Sequence, residues 1–179
     1  LDHVSVDVHC FGDVRDDGAF GYSTPTSFAQ ANPAIQAIAT DLEIANNLQN
    51  VNVIHSHTWY ANMAGHFGSL LHGIPHVITA HSLEPLRPWK ADQLGGGYQI
   101  SSWAEKSAYE SADAIIAVSD GMRADVLAAY PSVDPTKVLT IRNGVDVDRF
   151  KPTVDPALLT ELGITGRYAI FVGRITRQK

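Results

Sequence analysis

The chain has 179 residues, enough for one domain of ordinary size with its own buried core, and 45% of them are apolar, as in globular proteins. Its formal net charge of −6 argues against partners such as nucleic acids and membrane surfaces, because both require a basic surface. No apolar run approaches the roughly 20 residues that span a bilayer, and the single cysteine, Cys10, favours a reducing compartment such as the cytoplasm.

Short apolar runs alternate with helical patterns along the chain. Val4, Val6 and Val8 alternate with polar residues, which predicts a strand over 4–10. Asn32 is a typical helix cap before Pro33 and predicts a helix over 33–48. In chain order, the further predictions are a strand over 51–56, a helix over 59–72, a strand over 75–80, a loop over 82–97, a helix over 100–111, a strand over 114–118, a helix over 120–130, a strand over 137–141, a helix over 158–162 and a strand over 168–172.

Strands that alternate with helices at this spacing predict an α/β fold with a Rossmann-like parallel sheet covered on both faces. Ligands of such sheets bind at the carboxyl ends of the strands. The polar residues predicted at those ends are His55, His57, His81, Ser82, Ser119, Asn143 and Arg174. No glycine-rich turn precedes the first predicted strand, and a cluster of cations follows the last one. We therefore expect the chain to be part of a longer protein, truncated at both ends.

The first cluster of polar residues is built from histidines. His55 and His57 share one face of their predicted strand, and His81 follows the next strand. Three histidines could bind a metal, which would make the protein a metal hydrolase. No carboxylate is predicted at a neighbouring strand end, so the ligand set disfavours that interpretation. The alternative is that these histidines make ordinary hydrogen bonds at the strand ends.

The second cluster is the loop over 82–97. Consecutive glycines, Gly95 to Gly97, present backbone N–H groups that favour an anion, and Arg87 and Lys90 add positive charge. The alternative is a solvated connector between two elements. The residues alone support both interpretations equally.

Two further patterns are weak when each is taken by itself. Asn143 and Gly144 follow a predicted strand and are typical of a tight turn. Gly173 ends the last predicted strand and leads into Arg174 and Lys179, two cations of the kind that bind a diphosphate leaving group. On composition alone, a frayed basic end is the favoured explanation of the second pattern.

The order of the motifs is more specific than any one of them. H-S-H-T-W, T-A-H-S-L-E-P, R-P-W-K, L-G-G-G-Y, A-V-S, R-N-G-V-D and V-G-R-I-T-R-Q-K together resemble the retaining family-four glycosyltransferases, especially the actinobacterial glycogen synthases. The resemblance implies the N-terminal half of a two-domain GT-B enzyme. It implies a partial acceptor-binding domain over 1–150, a linker over 151–166, and over 167–179 the first strand and the start of the nucleotide-sugar domain.

The resemblance also implies a reaction and its residues. Glucose would pass from ADP-glucose or UDP-glucose, with retention, to an α-glucan or to glucose 1-phosphate, without a metal or further cofactor. His81 matches the histidine beside the transferred sugar, and Arg174 and Lys179 match the pair that grips the donor diphosphate. The predicted substrate-binding residues are His57, Thr58, Ser82, Arg87, Lys90, Gly95, Gly96, Asn143 and Gly173.

Two departures from the family pattern keep other functions open. Thr58 stands where many glycogen synthases have aspartate, which favours an acceptor other than a plain glucan chain. The charges of Arg87 and Lys90 suit a phosphorylated acceptor. The segments expected before the first strand and after Lys179 are absent. The alternatives are therefore a non-catalytic module that binds sugar phosphates, and a glycosyltransferase of another pathway with a different acceptor.

Overall fold

The computed structural model describes residues 3–152 and 155–173 of the chain. Residues 1–143 and 144–179 form two compact units, each described here by itself. The strands are β1 (His9–Phe11), β2 (Phe20–Tyr22), β3 (Ile54–His57), β4 (His76–Ala80), β5 (Ala114–Ala117) and β6 (Val138–Thr140). The helices are α1 (Pro33–Asn47), α2 (Trp59–His72), α3 (Lys90–Leu94), α4 (Gly97–Ser111), α5 (Asp120–Ala129) and α6 (Pro156–Glu161), with short 3-10 helices at Thr26–Phe28, Glu84–Leu86 and Pro135–Lys137.

The main sheet of the first unit has four parallel strands in the order β3-β4-β5-β6. His57 lies opposite Thr79, and Ala80 lies opposite Ala117. Because all four strands are parallel, their carboxyl ends meet at one edge of the sheet. The predicted α/β class with a parallel sheet is therefore confirmed, and this edge is where the candidate residues gather.

The largest core cluster joins this sheet to α2, α4 and α5. Its largest fully buried members include Tyr109, Met63, Ile78 and Ile115. Burying each such side chain contributes about 1.5–3 kcal/mol relative to leaving it exposed. This packing holds the carboxyl ends of β4 and β5 firmly in place.

The helix boundaries follow from the capping residues that the sequence suggested. The side chain of Asn32 accepts a hydrogen bond from the Ala34 amide at 2.9 Å, with Pro33 at the first helical position. Gly73 ends α2 in the left-handed conformation, with φ of 66°. Ser119 caps α5 through a 3.0 Å bond from the Met122 amide. The side chains of Asn32 and Ser119 and the backbone amide of Gly73 thus satisfy groups at the helix ends that would otherwise lack a partner.

Several predicted elements differ from the structure. The strand predicted over 4–10 is limited to β1, which pairs with β2, a strand that no sequence pattern indicated. The strand predicted over 168–172 is wrong, because no described strand lies beside it to accept its backbone hydrogen bonds, and its apolar side chains are exposed. The loop predicted over 82–97 contains the 3-10 helix Glu84–Leu86 and α3, and α4 begins at Gly97 rather than at residue 100.

In the second unit, α6 is the one helix among the described residues. Asp155 caps it by accepting hydrogen bonds from the amides of Ala157 and Leu158, both at 3.1 Å. Apart from Leu159 and Ile164, the described residues from 144 to 173 are exposed. The predicted boundaries at 150 and 166 stay predictions. Across both units, no described helix combines the length and apolar character needed to span a bilayer.

Candidate functional site

A row of imidazoles marks the carboxyl ends of β3 and β4. Side chains alternate along β3, so Ile54 and Ser56 are buried while His55 and His57 are exposed on the other face. Nε2 of His55 lies 2.7 Å from Oγ1 of Thr79, and Nδ1 of His57 lies 3.0 Å from Nε2 of His81. The structure thus brings the predicted residues His57 and His81 into direct contact.

The charge state of this row follows from its crowding. Partial burial lowers the pKa of His55, and the neighbouring His81 lowers it further. Burial also lowers the pKa of His57, with added effects from His55 and His81. Near neutral pH the His55 and His57 rings are therefore uncharged, and each can donate one hydrogen bond and accept another. Sugar hydroxyl groups have the same mixed character.

Thr58, the residue between β3 and α2, adopts a strained backbone conformation. Its φ of 69° and ψ of 154° lie in a region populated almost only by glycine. Its hydroxyl is buried and has no hydrogen-bond partner among the described residues. Such strain persists only where the surrounding structure holds it, and it is typical of ligand-binding sites.

Ser82 and Arg87 form a second polar pair, just after β4. The guanidinium of Arg87 donates a 3.0 Å hydrogen bond to Oγ of Ser82, and both residues are half-buried. In the part of the chain that the structure describes, no carboxylate forms an ion pair with Arg87. Its charge is therefore available for an anionic ligand next to His81.

Lys90 differs from Arg87 although both were predicted to bind substrate. Nζ of Lys90 lies 2.5 Å from Oε1 of Glu84, and it lies 5.5 Å from the centre of the Trp59 ring. The Lys90 side chain is 12% exposed and that of Glu84 is 1% exposed. The ammonium group is thus neutralised and covered inside the first unit.

A network of buried polar groups supports Glu84. Its second carboxylate oxygen accepts a 2.8 Å bond from Ser101, and its backbone amide donates to Oε1 of Glu105 at 2.6 Å. The Tyr130 hydroxyl also donates to Glu105. Burial, the main cause, raises the pKa of Glu105 to about 7, against the lowering effect of the Tyr130 hydrogen bond.

The sequence predictions missed Glu105 and Trp59. The signal for Glu105 was its place on the apolar face of α4, in line with Ser101, Ala104 and Ala108. A charged residue on a buried helix face requires a polar partner, so this position could have indicated a buried polar network. Trp59 opens α2 and ends the motif H-S-H-T-W, which assigned it no role of its own.

The glycines after α3 have a structural role. The Gly95 amide donates to the Ala91 carbonyl at 2.9 Å, and Gly95 itself has a φ of 51°. A methyl group on Gly97 would lie 2.2 Å from Oδ1 of Asn32. The turn therefore brings α4 against the start of α1. The predicted anion contacts of Gly95 and Gly96 stay predictions.

The remaining predicted residues divide between the two units and the part of the chain outside the described residues. Asn143 is exposed three residues after β6, and Arg142 before it pairs with Asp120 at 3.5 Å. Gly173 is exposed and belongs to the second unit. Arg174 and Lys179 lie outside the described residues.

No group of three or more histidine, cysteine, aspartate or glutamate side chains within the described ranges has a metal-binding arrangement. His55 is hydrogen-bonded to Thr79, and His57 is hydrogen-bonded to His81. The described edge of the sheet therefore presents the uncharged imidazoles of His55 and His57, the strained Thr58 and the guanidinium of Arg87, which forms no ion pair with a described carboxylate. This combination suits a ligand that carries both hydroxyl groups and negative charge.

Comparisons with known proteins agree with this geometry. The chain is 55% identical over 179 residues to the alpha-maltose-1-phosphate synthase of Mycolicibacterium smegmatis, covering 97% of this chain and 46% of that protein. It is 52% identical over 181 residues to the protein of the same name from Mycobacterium tuberculosis, covering 98% and 46%. The chain thus spans about half the length of these relatives.

The fold has a counterpart among solved structures. The crystal structure of Anabaena Alr3699/HepE in complex with UDP-glucose matches with a TM-score of 0.56 at 17% identity, over 81% of this chain and 36% of that protein. This likeness bears on the fold alone and confirms the predicted GT-B type. The model of the family described as Glycosyltransferase Family 4 matches residues 3–149. Since this match covers most of the chain, the chain belongs to glycosyltransferase family 4.

Proposed function

We propose that the whole protein is a retaining hexosyltransferase and that residues 1–143 form its acceptor side. The observation that carries this proposal is the contact between His57 and His81 at the carboxyl ends of β3 and β4, beside the strained Thr58. The uncharged imidazoles of His55 and His57 at this edge suit the hydroxyl groups of a sugar, because each can donate one hydrogen bond and accept another. Family membership supports the reaction class.

The proposed donor is ADP-glucose or UDP-glucose, and the proposed acceptor is glucose 1-phosphate or an α-glucan. Two relatives that are 52% and 55% identical carry the name alpha-maltose-1-phosphate synthase, which supports the phosphorylated acceptor. The guanidinium of Arg87, which donates to Ser82 and forms no ion pair with a described carboxylate, supports it independently. A nucleotide-sugar donor and the single cysteine favour the cytoplasm as the compartment.

The proposed mechanism divides the work between two groups of residues. His81, oriented by His57, lies beside the transferred sugar and binds its hydroxyl groups. Arg174 and Lys179 stabilise the negative charge that grows on the diphosphate as the glycosidic bond breaks. The acceptor hydroxyl attacks from the face that the diphosphate leaves, and the departing phosphate takes the acceptor's proton.

The test is a reaction of the whole protein with α-ADP-glucose and glucose 1-phosphate, followed by anomer-resolved NMR of the product. An α-linked disaccharide phosphate is expected. A β-linked product would contradict the proposed retention of configuration. Repeating the reaction with UDP-glucose and with a maltooligosaccharide decides the nucleotide and the acceptor.

A sugar-phosphate-binding module without turnover is the second candidate, favoured by the unpaired charge of Arg87 in the described site. Calorimetry with glucose 1-phosphate and with ADP distinguishes the two functions. A transferase binds both ligands, whereas a module binds the sugar phosphate alone. Arg87→Met should weaken sugar-phosphate binding in either case.

A further inference from the structure

Lys90 is held inside the first unit by contacts from two directions. Its ammonium group lies 2.5 Å from a carboxylate oxygen of Glu84 and 5.5 Å from the centre of the Trp59 ring. Glu84 is engaged at its other carboxylate oxygen by Ser101. A lysine that is this covered and paired has little freedom to reach a ligand.

These contacts connect the two strand ends that carry the candidate site. Trp59 directly follows the strained Thr58, and Glu84 lies three residues after His81. Lys90 lies between them, at the start of α3. A single side chain thus bridges the segment that leaves β3 and the segment that leaves β4.

The neighbouring Arg87 makes a useful contrast. It donates to the uncharged Ser82, and no described carboxylate forms an ion pair with it. The two cations are three residues apart, yet only one of them is neutralised. In the sequence, their positive charge placed Lys90 and Arg87 in one group. In the structure, their hydrogen-bond and ion-pair partners distinguish their roles.

We propose that Lys90 is a positioning residue. By contacting both Glu84 and Trp59, it holds the segment after β4 against the start of α2. This contact orients His81, Ser82 and Arg87. The role in the reaction rests on the proposed function. The bridge itself rests only on the contacts above.

The physical consequence of losing Lys90 follows from the buried carboxylates. The carboxylate of Glu84, which is 1% exposed, would lose its ammonium partner, while its own amide stays bonded to the carboxylate of Glu105. A buried charge without its partner is strongly destabilising. The segment from 82 to 90 would therefore shift so that Glu84 reaches water, and His81 and Arg87 would move with it.

Hydrogen exchange of the whole protein, without any sugar, tests the bridge directly. In Lys90→Met, the amides of Glu84 and Arg87 should exchange at least tenfold faster, because both are bonded within this network. Lys90→Arg should restore most of the protection. The matched control is Lys106→Met on α4, whose ammonium lies 3.9 Å from Glu110 on an exposed surface, and it should leave both amides unchanged.

Kinetics then separate positioning from acceptor binding. Lys90→Met should lower kcat at least tenfold with glucose 1-phosphate and with a maltooligosaccharide alike, because the reacting groups are misplaced for both. Arg87→Met should instead raise the KM for glucose 1-phosphate selectively. Should Lys90→Met leave exchange unchanged and raise only the KM for the phosphorylated acceptor, Lys90 would be a ligand and the proposal would be wrong.

Two further results separate a failure of the proposed bridge from a folding defect and from a failure of the proposed function. If Lys90→Met does not fold, the double variant Glu84→Gln with Lys90→Met removes both charges and should fold. In this variant, the Arg87 amide should lose its protection from exchange, and kcat should fall with both acceptors. Full protection and an unchanged kcat in that variant would overturn the bridge. If the unaltered protein turns over neither acceptor, the proposed function fails, while the exchange data still decide whether Lys90 orders this segment.

Discussion

Two single residues break ordinary rules of stability, and they do so in different places. Thr58 combines a glycine-type backbone conformation with a buried, unpaired hydroxyl at the edge of the sheet. Asp41, on α1, is 0% exposed, and neither of its carboxyl oxygens makes a hydrogen bond of ordinary geometry with any described residue. Strain at a strand end points to ligand binding. The buried carboxyl of Asp41 indicates that the free energy of unfolding depends on pH.

We expect Thr58→Gly to stabilise the protein. Relief of the backbone strain should stabilise the folded state by about 1–3 kcal/mol. Glycine also gives the unfolded chain more conformational freedom, which destabilises the folded state by roughly 1 kcal/mol. The free energy of unfolding should therefore rise by about 1 kcal/mol. The same change should lower kcat/KM for the acceptor. Denaturant unfolding measures the first effect. Thr58→Ala is the control, because it removes the hydroxyl but keeps the strained backbone; a loss of stability in Thr58→Gly would contradict this account.

Asp41→Asn should stabilise the protein more at high pH than at low pH. Burial, the main cause, raises the pKa of Asp41 to about 8, against the lowering effect of the Ala64 backbone. The folded state therefore keeps a proton that the unfolded chain loses above about pH 4. The stability of the unaltered protein accordingly falls as pH rises from about 4 to 8, and then levels off.

Thermal unfolding at several pH values measures this difference. At pH 8 we expect a gain of roughly 2 kcal/mol for Asp41→Asn, shrinking towards pH 5. The exposed Asp125 on α5 provides the control, since Asp125→Asn should change stability little at either pH. An equal effect of Asp41→Asn at both pH values would show that the Asp41 carboxyl is not protonated in the folded state.

Among the elements, α2 packs unusually closely on the sheet. Gly65 faces the buried His76, whose Nε2 lies 2.7 Å from the Ser56 hydroxyl. A methyl group on Gly65 would lie 2.1 Å from that same nitrogen. Burial is the main cause that lowers the pKa of His76 to about 4, so the ring is uncharged at neutral pH. The close approach of α2 to His76 thus depends on the absence of a side chain at Gly65.

Gly65→Ala should therefore destabilise the protein, although alanine favours helices. Overpacking costs about 1–3 kcal/mol, which exceeds the helix-propensity gain of at most about 1 kcal/mol. Gly121→Ala on α5 is the matched control, because its nearest neighbour would be Ser119 Oγ at 3.8 Å. It should stabilise by up to about 1 kcal/mol. Unfolding curves that show the two variants shifting in the same direction would contradict this interpretation.

The elements that local signals define were predictable from sequence. The cap at Asn32 and the stop at Gly73 predicted where α1 begins and where α2 ends. The short β2 and the helix α3 were not predictable, because each depends on packing against distant parts of the chain. Residues 168–172 show the converse, since an apolar pattern does not form a strand without a neighbouring strand.

The candidate site was predictable in the same partial way. Strand-end rules and the motif order placed His57, Thr58, His81 and Ser82 at one edge of the sheet. They could not distinguish Lys90 from Arg87, because charge in a sequence carries no information about its partner. The buried carboxylates of Glu84 and Glu105, which make that distinction, come from a loop and a helix 21 residues apart.

At the scale of the whole molecule, the proposed reaction needs both the described sheet edge and the cations that follow Gly173. We expect Arg174→Ala in the whole protein to lower kcat by on the order of a hundredfold, about 3 kcal/mol, with a smaller effect on the donor KM. The reason is that the charge on the diphosphate grows mainly in the transition state. Steady-state kinetics measure both constants; a raised donor KM with an intact kcat would make Arg174 a ground-state binder.

The bridge from Glu84 through Lys90 to Trp59 also has a practical consequence for altering acceptor choice. The residues that we propose to contact the acceptor, Thr58, Ser82 and Arg87, are separate from the buried residues Glu84, Lys90 and Glu105. A library that randomises the first three while retaining Glu84, Lys90 and Glu105 should contain mostly folded clones. Selection from such a library can therefore explore new acceptors without repeatedly losing the scaffold.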